Sequence, residues 1–143
     1  MNNKRLAGID FGLKRIGIAL SEPTLSFATP LERLDRTGND QKDIETLMQI
    51  LDSRGKIDMF IIGLPLHLDG QESSMSEAAR KFGKKLTEIT GIECEFIDER
   101  MTSKAAEGIL IEQSMKRKDR SKAIDVVSAS LILQTYLDLN CCI

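Results

Sequence analysis

Apolar positions divide this chain into short continuous runs and longer segments of helical period. From Leu6 to Leu20, LAGIDFGLKRIGIAL, two apolar runs flank a glycine-bearing turn, which is the pattern of a β-hairpin. Strands are expected over 5–10 and 15–21, and a third over 28–34 after the turn-forming stretch 21–26. Short connections between consecutive strands imply antiparallel pairing. Asn39 or Asp40 then caps a helix in which Ile44, Leu47, Met48 and Leu51 recur at helical spacing up to Gly55. Ile57 to Gly63 is a compact apolar run that stops before Pro65, as a buried strand does when the chain loses a backbone donor. Ser74 and Glu77 have capping-box spacing, and Met75, Ala78, Ala79, Phe82, Leu86 and Ile89 continue that helix to Gly91. Ile92 to Ile97 is a further strand that delivers Asp98, Glu99 and Arg100 at its end. Thr102 or Ser103 caps a third helix through Leu110, Met115 to Lys122 is a basic connection, and a last helix starts near Ser121 and runs to about Leu139. Apolar residues on much of its circumference predict that this helix is well buried.

Three antiparallel strands followed by alternating helices and strands imply an α/β protein. Its sheet is mixed, with helices on both faces in three layers. The 143 residues make one domain, 1–139, with an uninformative tail at 140–143. At 41% hydrophobic and 29% charged the composition is that of an ordinary soluble globular chain. A formal net charge of −2 leaves no global field for nucleic acid, so any such attraction has to come from a local patch. Cys94, Cys141 and Cys142 form neither a disulfide framework nor a zinc spacing, which fits a reducing compartment. No apolar run approaches the roughly 20 residues that span a bilayer, and charges interrupt any signal-peptide core. The expected location is cytoplasmic, with no membrane partner.

Against this background the acidic residues change the picture. Asp10 sits with apolar residues on both flanks, Asp98 and Glu99 end the last strand, and Asp125 lies in the opening turn of the last helix on a stripe with Ser128, Ala129 and Ile132. An ionised carboxylate in an apolar strand needs a compensating partner, and converging carboxylates repel unless protonated or metal-bound. Oxygen donors without His or Cys suit Mg²⁺ or Mn²⁺. Such ions activate water and stabilise the oxygens of a phosphoryl displacement. Asp10, Glu99 and Asp125 are therefore the expected catalytic and metal ligands, with Asp98 in reserve because alternation is least reliable at a strand's end. Taken singly, each has an ordinary reading as a turn, strand-end or helix-dipole charge; the argument rests on their convergence.

The cations fall beside them. Lys14 and Arg15 occupy the hairpin turn behind Asp10, Arg100 follows Glu99, and Lys116, Arg117, Lys118, Arg120 and Lys122 put five cations into eight residues just before Asp125. Such a run is commonly a solvated loop, but next to the carboxylates it is placed to neutralise a nucleic-acid backbone. His67, the only histidine, has no base or nucleophile partner in the pattern and reads as a loop residue of GLPLHLDG.

Four segments together, GIDFGLKRIGIALS, GLPLHLDGQES, DERMTSKAAE and AIDVVSASLILQTYL, resemble the YqgF family of Holliday junction resolvases, also described as the nuclease that matures the 5′ end of precursor 16S ribosomal RNA. The resemblance spans nearly the whole chain. It implies a ribonuclease H-like fold with a mixed five-stranded sheet and an acidic site on Asp10, Glu99 beside Asp98, and Asp125. It also implies a metal-dependent endonuclease whose partner is precursor ribosomal RNA or branched DNA, and a homodimer would suit cleavage of two DNA strands. His67 stands where the family more often has Asn, and the Ser128–Ser130 run is less Ala-rich than usual; neither touches a proposed ligand. An actin-like ATPase opens on a similar acidic hairpin but needs two lobes and at least twice this length. A non-catalytic RNA-binding factor of ribosome assembly is the alternative from another class.

Overall fold

The computed structural model describes residues 5–22, 27–67, 69–99 and 117–140. Its strands are β1 (Leu6–Phe11), β2 (Arg15–Ser21), β3 (Ala28–Asp35), β4 (Met59–Leu64) and β5 (Glu93–Asp98), and its helices α1 (Asp40–Asp52), α2 (Ser74–Thr90) and α3 (Arg117–Asn140). The five strands form one sheet in the order β3-β2-β1-β4-β5. The first three pair antiparallel through their short connections, whereas β4 joins β1, and β5 joins β4, in parallel. The central strand β1 is thus where the antiparallel half meets the parallel half.

Strand alternation sorts the core into two layers. Ala7, Ile9 and Phe11 of β1 and Phe60 and Ile62 of β4 face Ile44, Leu47 and Leu51 of α1 and Phe82 and Leu86 of α2. Leu6 of β1, Ala19 of β2 and Ile61 of β4 face Ala129, Ile132, Leu133 and Leu137 of α3. Because helices cover both faces, the inner strands read as almost unbroken apolar runs. The expected three-layer α/β architecture with a mixed five-stranded sheet is the one observed.

Several boundaries differ from expectation. The capping box of α2 is formed one residue earlier, by Ser73 and Ser76: Ser76 N–H donates to Ser73 Oγ at 2.9 Å and Ser73 N–H to Ser76 Oγ at 2.7 Å. A serine hydroxyl replaces the expected Glu77 carboxylate because Ser76 is fully buried and reaches the cap directly. Helix α3 begins at Arg117 instead of near Ser121, and it extends through Asn140. Lysine and arginine are good helix formers, so most of the segment read as a basic connection is the first turns of the helix. The helix expected between 102 and 110 lies outside the described residues, as does the tail at 141–143.

A buried ion pair missed by pattern reading ties these elements together. Asp43, 1% exposed, accepts from Arg36 Nε at 2.9 Å and from both the N–H and the hydroxyl of Thr37 at 2.9 Å. Arg36 also donates to Asp40, and its guanidinium lies 4.7 Å from the Phe11 ring centroid and 5.6 Å from that of Phe82. Burial by itself pushes the Asp43 carboxyl upward, but the hydrogen bonds from Thr37 and Arg36 outweigh it and hold the group below the ordinary aspartate range.

Asp43→Ala strips this guanidinium of a buried partner and is expected to cost about 3 kcal/mol, read as a lower urea midpoint at unchanged slope. Since the folded pKa lies below the unfolded one, the contribution of Asp43 is fully present above about pH 4. It is lost as pH falls through the folded value. Unfolding free energies of Asp43→Asn measured from pH 7 downward should therefore show a flatter acid limb than wild type, and an unchanged limb would assign that dependence to other carboxylates.

Candidate functional site

Asp10 is the fifth residue of β1, half-buried, and opposite Gly17 of β2. Alternation places it with Leu6 and Gly8 on the face covered by α3. One residue on from the Ile9–Ile62 pair, the parallel register carries Asp10 alongside Gly63 of β4, which in turn pairs with Ile97 of β5. The residues flanking Asp10 on both neighbouring strands are therefore glycines, which put no side chain of their own beside its carboxylate.

Glu99 uses that space. It follows β5 directly, and Ile97, two residues before it, belongs to the α3-side core. A Cβ built on Gly63 would lie 3.2 Å from Glu99 Oε1, so the Glu99 carboxylate lies over the glycine next to Asp10. Neighbouring strands are about 4.8 Å apart, which brings the two acids into one neighbourhood on one face. Asp98 pairs with Leu64, and Cys94 and Phe96, which share its side of β5, pack on the opposite core. The geometry thus separates the two acids that the sequence leaves as alternatives, with Glu99 on the face of Asp10.

The third expected ligand comes with α3. A Cβ on Gly8 would lie 2.7 Å from the Ala129 carbonyl oxygen and 2.7 Å from Leu133 Cβ, and one on Gly63 would lie 2.6 Å from Ile132 Cδ1. At the other end of β4 the Tyr136 hydroxyl approaches Met59 Sδ at 3.8 Å. The helix therefore runs opposite to β1 and β4, and its N-terminal turns lie towards the strand ends that carry Asp10 and Glu99. Asp125 occupies the helix position one turn, about 6 Å of rise, before Ala129. The side chains of residues 117–126, which include Arg117, Lys118, Arg120, Lys122 and Asp125, lie outside the described residues, as do Arg100 and Lys116 entirely. Among the described residues, no three His, Cys, Asp or Glu side chains close on a single point.

Beyond Asp10 the chain turns through Gly12 and Leu13 to Lys14 and Arg15, both exposed. A cleft of about 320 Å³ opens there, lined by Asp10, Leu13, Lys14, Arg15 and, from the start of α2, Met75. Arg36 holds the turn from beneath: its N–H donates to the Lys14 carbonyl at 2.8 Å and its Nη1 to the Gly12 carbonyl at 3.2 Å. Met75 reads in the sequence only as an apolar position of its helix, and Arg36 carries no pattern that singles it out. The loop at His67 is closed by backbone hydrogen bonds, His67 N–H to Gln71 O at 2.9 Å and Gly70 N–H to His67 O at 2.8 Å. Burial pushes the Cys94 thiol up in spite of a hydrogen bond from Thr87, a direction that disfavours thiolate chemistry.

Comparison with known proteins places this arrangement in a family. The model of the family RuvX, described as Holliday junction resolvase, matches residues 4–139. A relative from Streptococcus gordonii named "Putative pre-16S rRNA nuclease" is 40% identical over 139 residues, covering 95% of this chain and 99% of its own. Another of the same name, from Protochlamydia amoebophila, is 37% identical over 150 residues, covering 99% of this chain and all of its own. Among solved structures, Thermus thermophilus RuvC in complex with a Holliday junction substrate superposes with a TM-score of 0.57 at 11% identity, over 96% of each chain. That likeness shows a shared ribonuclease H-like fold. Among the described residues no helix is long and apolar enough to cross a membrane.

The glycine contacts separate two kinds of crowding. Gly8→Ala drives a methyl into the Ala129 carbonyl and must shift α3, for an expected loss of about 1–3 kcal/mol. Gly63→Ala meets only the ends of the Ile132 and Glu99 side chains and should cost less. Urea unfolding of the two variants side by side checks the order, and equal losses would contradict the close backbone approach at Gly8.

Proposed function

The chain belongs to the RuvX (YqgF) family, and we propose that it is a metal-dependent nuclease that hydrolyses phosphodiesters of structured nucleic acid, with the 5′ end of precursor 16S ribosomal RNA as its substrate. The observation that carries this reading is the placement of Asp10 and Glu99 on one face of the sheet, beside two glycines and beneath the approaching turns of α3. Their oxygens are hard donors, which fit Mg²⁺ or Mn²⁺. Asp10 and Glu99 would hold the ion, and Asp125, one turn before Ala129, is the third ligand. Bound there, the ion supplies Lewis-acid activation of water and neutralises charge on the phosphodiester.

The chain's own cations do the rest of the binding. Lys14 and Arg15, exposed at the turn beside Asp10, hold backbone phosphates next to the carboxylates. Arg100 and Lys116, with Arg117, Lys118, Arg120 and Lys122 from the sequence of the first turns of α3, would add further phosphate contacts. Phosphate contacts of this kind fix register and orientation without reading bases. The relatives' shared name supports ribosomal RNA as substrate. The description of the matching family supports a second reading, resolution of a four-way DNA junction by two copies of the chain.

Side-by-side incubation of purified protein with a precursor 16S ribosomal RNA transcript and a four-way DNA junction, with Mg²⁺ or Mn²⁺, decides between them. Asp10→Asn should lower cleavage by about a hundredfold or more, beyond the usual effect of altering groups that merely support ligands, with folding and binding retained. Cleavage unaffected by that substitution would sink the metal reading, and binding without any cleavage by wild type would make the protein a non-catalytic RNA-binding factor. Separately, Lys14→Ala combined with Arg15→Ala should reduce the slope of log affinity against log salt by roughly two; an unchanged slope would return both cations to solvent.

A further inference from the structure

Leu13 is 64% exposed at the tip of the β1–β2 turn. A single leucine at the surface is ordinary, but this one is presented on a braced support. The carbonyls on either side of it, those of Gly12 and Lys14, both accept from Arg36, at 3.2 and 2.8 Å. Arg36 is itself buried, held by Asp43 and laid over the Phe11 ring. Gly12 lies so close to the following backbone that a Cβ there would sit 2.7 Å from the Arg15 carbonyl. The turn cannot fold its leucine inward without giving up these contacts.

The cleft that Leu13 lines is lined also by Met75, half-buried at the start of α2 and packed against the core from there. The cleft's 320 Å³ is about ten times the roughly 30 Å³ share of one water, which is room for a ring system. Lys14, Arg15 and Asp10 line the same cleft. Two apolar side chains thus face a space flanked by phosphate-binding cations. Leucine is among the side chains that wedge between base steps, and a methionine thioether packs well against aromatic rings.

We propose that Leu13 and Met75 form a nucleobase subsite, which receives the base adjoining the phosphodiester held at Asp10 and keeps it out of its stack. The proposal rests on the nuclease reading above and adds a substrate feature to it. Neither side chain offers hydrogen bonds that distinguish one base from another, so the subsite selects an unpaired or easily unstacked nucleotide without selecting its identity. The substrate class is accordingly a junction between paired and unpaired strands.

The test uses the same two probes, the precursor 16S ribosomal RNA transcript and the four-way DNA junction. Whichever is cleaved by wild type is mapped to its scissile bond and rebuilt with an abasic residue at the nucleotide on each side in turn. Loss of the base on one side should lower kcat/KM for wild type by about fivefold, the low end of what base stacking on a side chain is worth. Leu13→Ala should lower kcat/KM on the intact probe by a similar factor and no longer respond to the abasic residue. Leu13→Phe should restore or exceed wild type, and the salt slope and urea midpoint should stay unchanged in both variants. An abasic penalty undiminished in Leu13→Ala, or none in wild type, overturns the subsite and leaves the nuclease reading standing, whereas cleavage of neither probe overturns both.

Discussion

Where α3 crosses the sheet there is no room for a side chain at Gly8, and at Gly63 only for one that displaces its neighbours. A helix normally stands about 10 Å from a sheet because side chains hold the two apart; the missing Cβ at Gly8 lets the helix backbone come down onto β1. Everything at the working end inherits that approach. It fixes the line along which the turns of α3 run toward the end of β1, and the surface left by the missing Cβ at Gly63 is shared by the Ile132 and Glu99 side chains. Two omitted methyl groups therefore set how closely α3 and the Glu99 side chain lie to β1, which carries Asp10, and to its neighbour β4.

The buried Arg36 group acts on the other side of the same strand. Charged groups in a core are weak sources of net stability, because desolvation offsets most of the attraction. Their geometry is demanding, however, and here the guanidinium joins the first turn of α1, the Phe11 and Phe82 rings and the Gly12 carbonyl of the hairpin turn, while the Arg36 backbone N–H holds the Lys14 carbonyl. The turn is held by a group that has few other ways to satisfy its donors. A loop carrying Lys14 and Arg15 is thereby kept in one shape while its side chains remain in water.

Much of this architecture is legible in the sequence, for identifiable reasons. Strands and helices stand out because their apolar periods are clean, and the order of elements already implies a mixed sheet covered on both sides. Asp10 is visible because an acid between apolar runs is conspicuous. Which of Glu99 and Asp98 shares the face of Asp10 is not legible from pattern alone, since it needs the register of β5 on β4 and the close approach that the missing Cβ at Gly63 permits. Arg36 is invisible for a similar reason: its partners include Phe11 and Phe82, far apart in the chain, and nothing local marks a turn arginine as buried. The early start of α3 is concealed because a run of lysine and arginine looks equally like a solvated loop and an exposed first helical turn.

The position of β1 as the seam of the sheet has a consequence for how the molecule comes together. On one side it pairs with β2, its immediate successor in the chain, so that half closes through contacts of short range. On the other it pairs with β4 and, through it, β5, contacts that close long loops and are slow to form. A chain that has organised only its first three strands has Asp10 in place but neither Glu99 beside it nor α3 above it. The face shared by Asp10 and Glu99 is thus absent from every partly assembled form that lacks the parallel half, and the completed tertiary structure is itself the condition for bringing the two acids together.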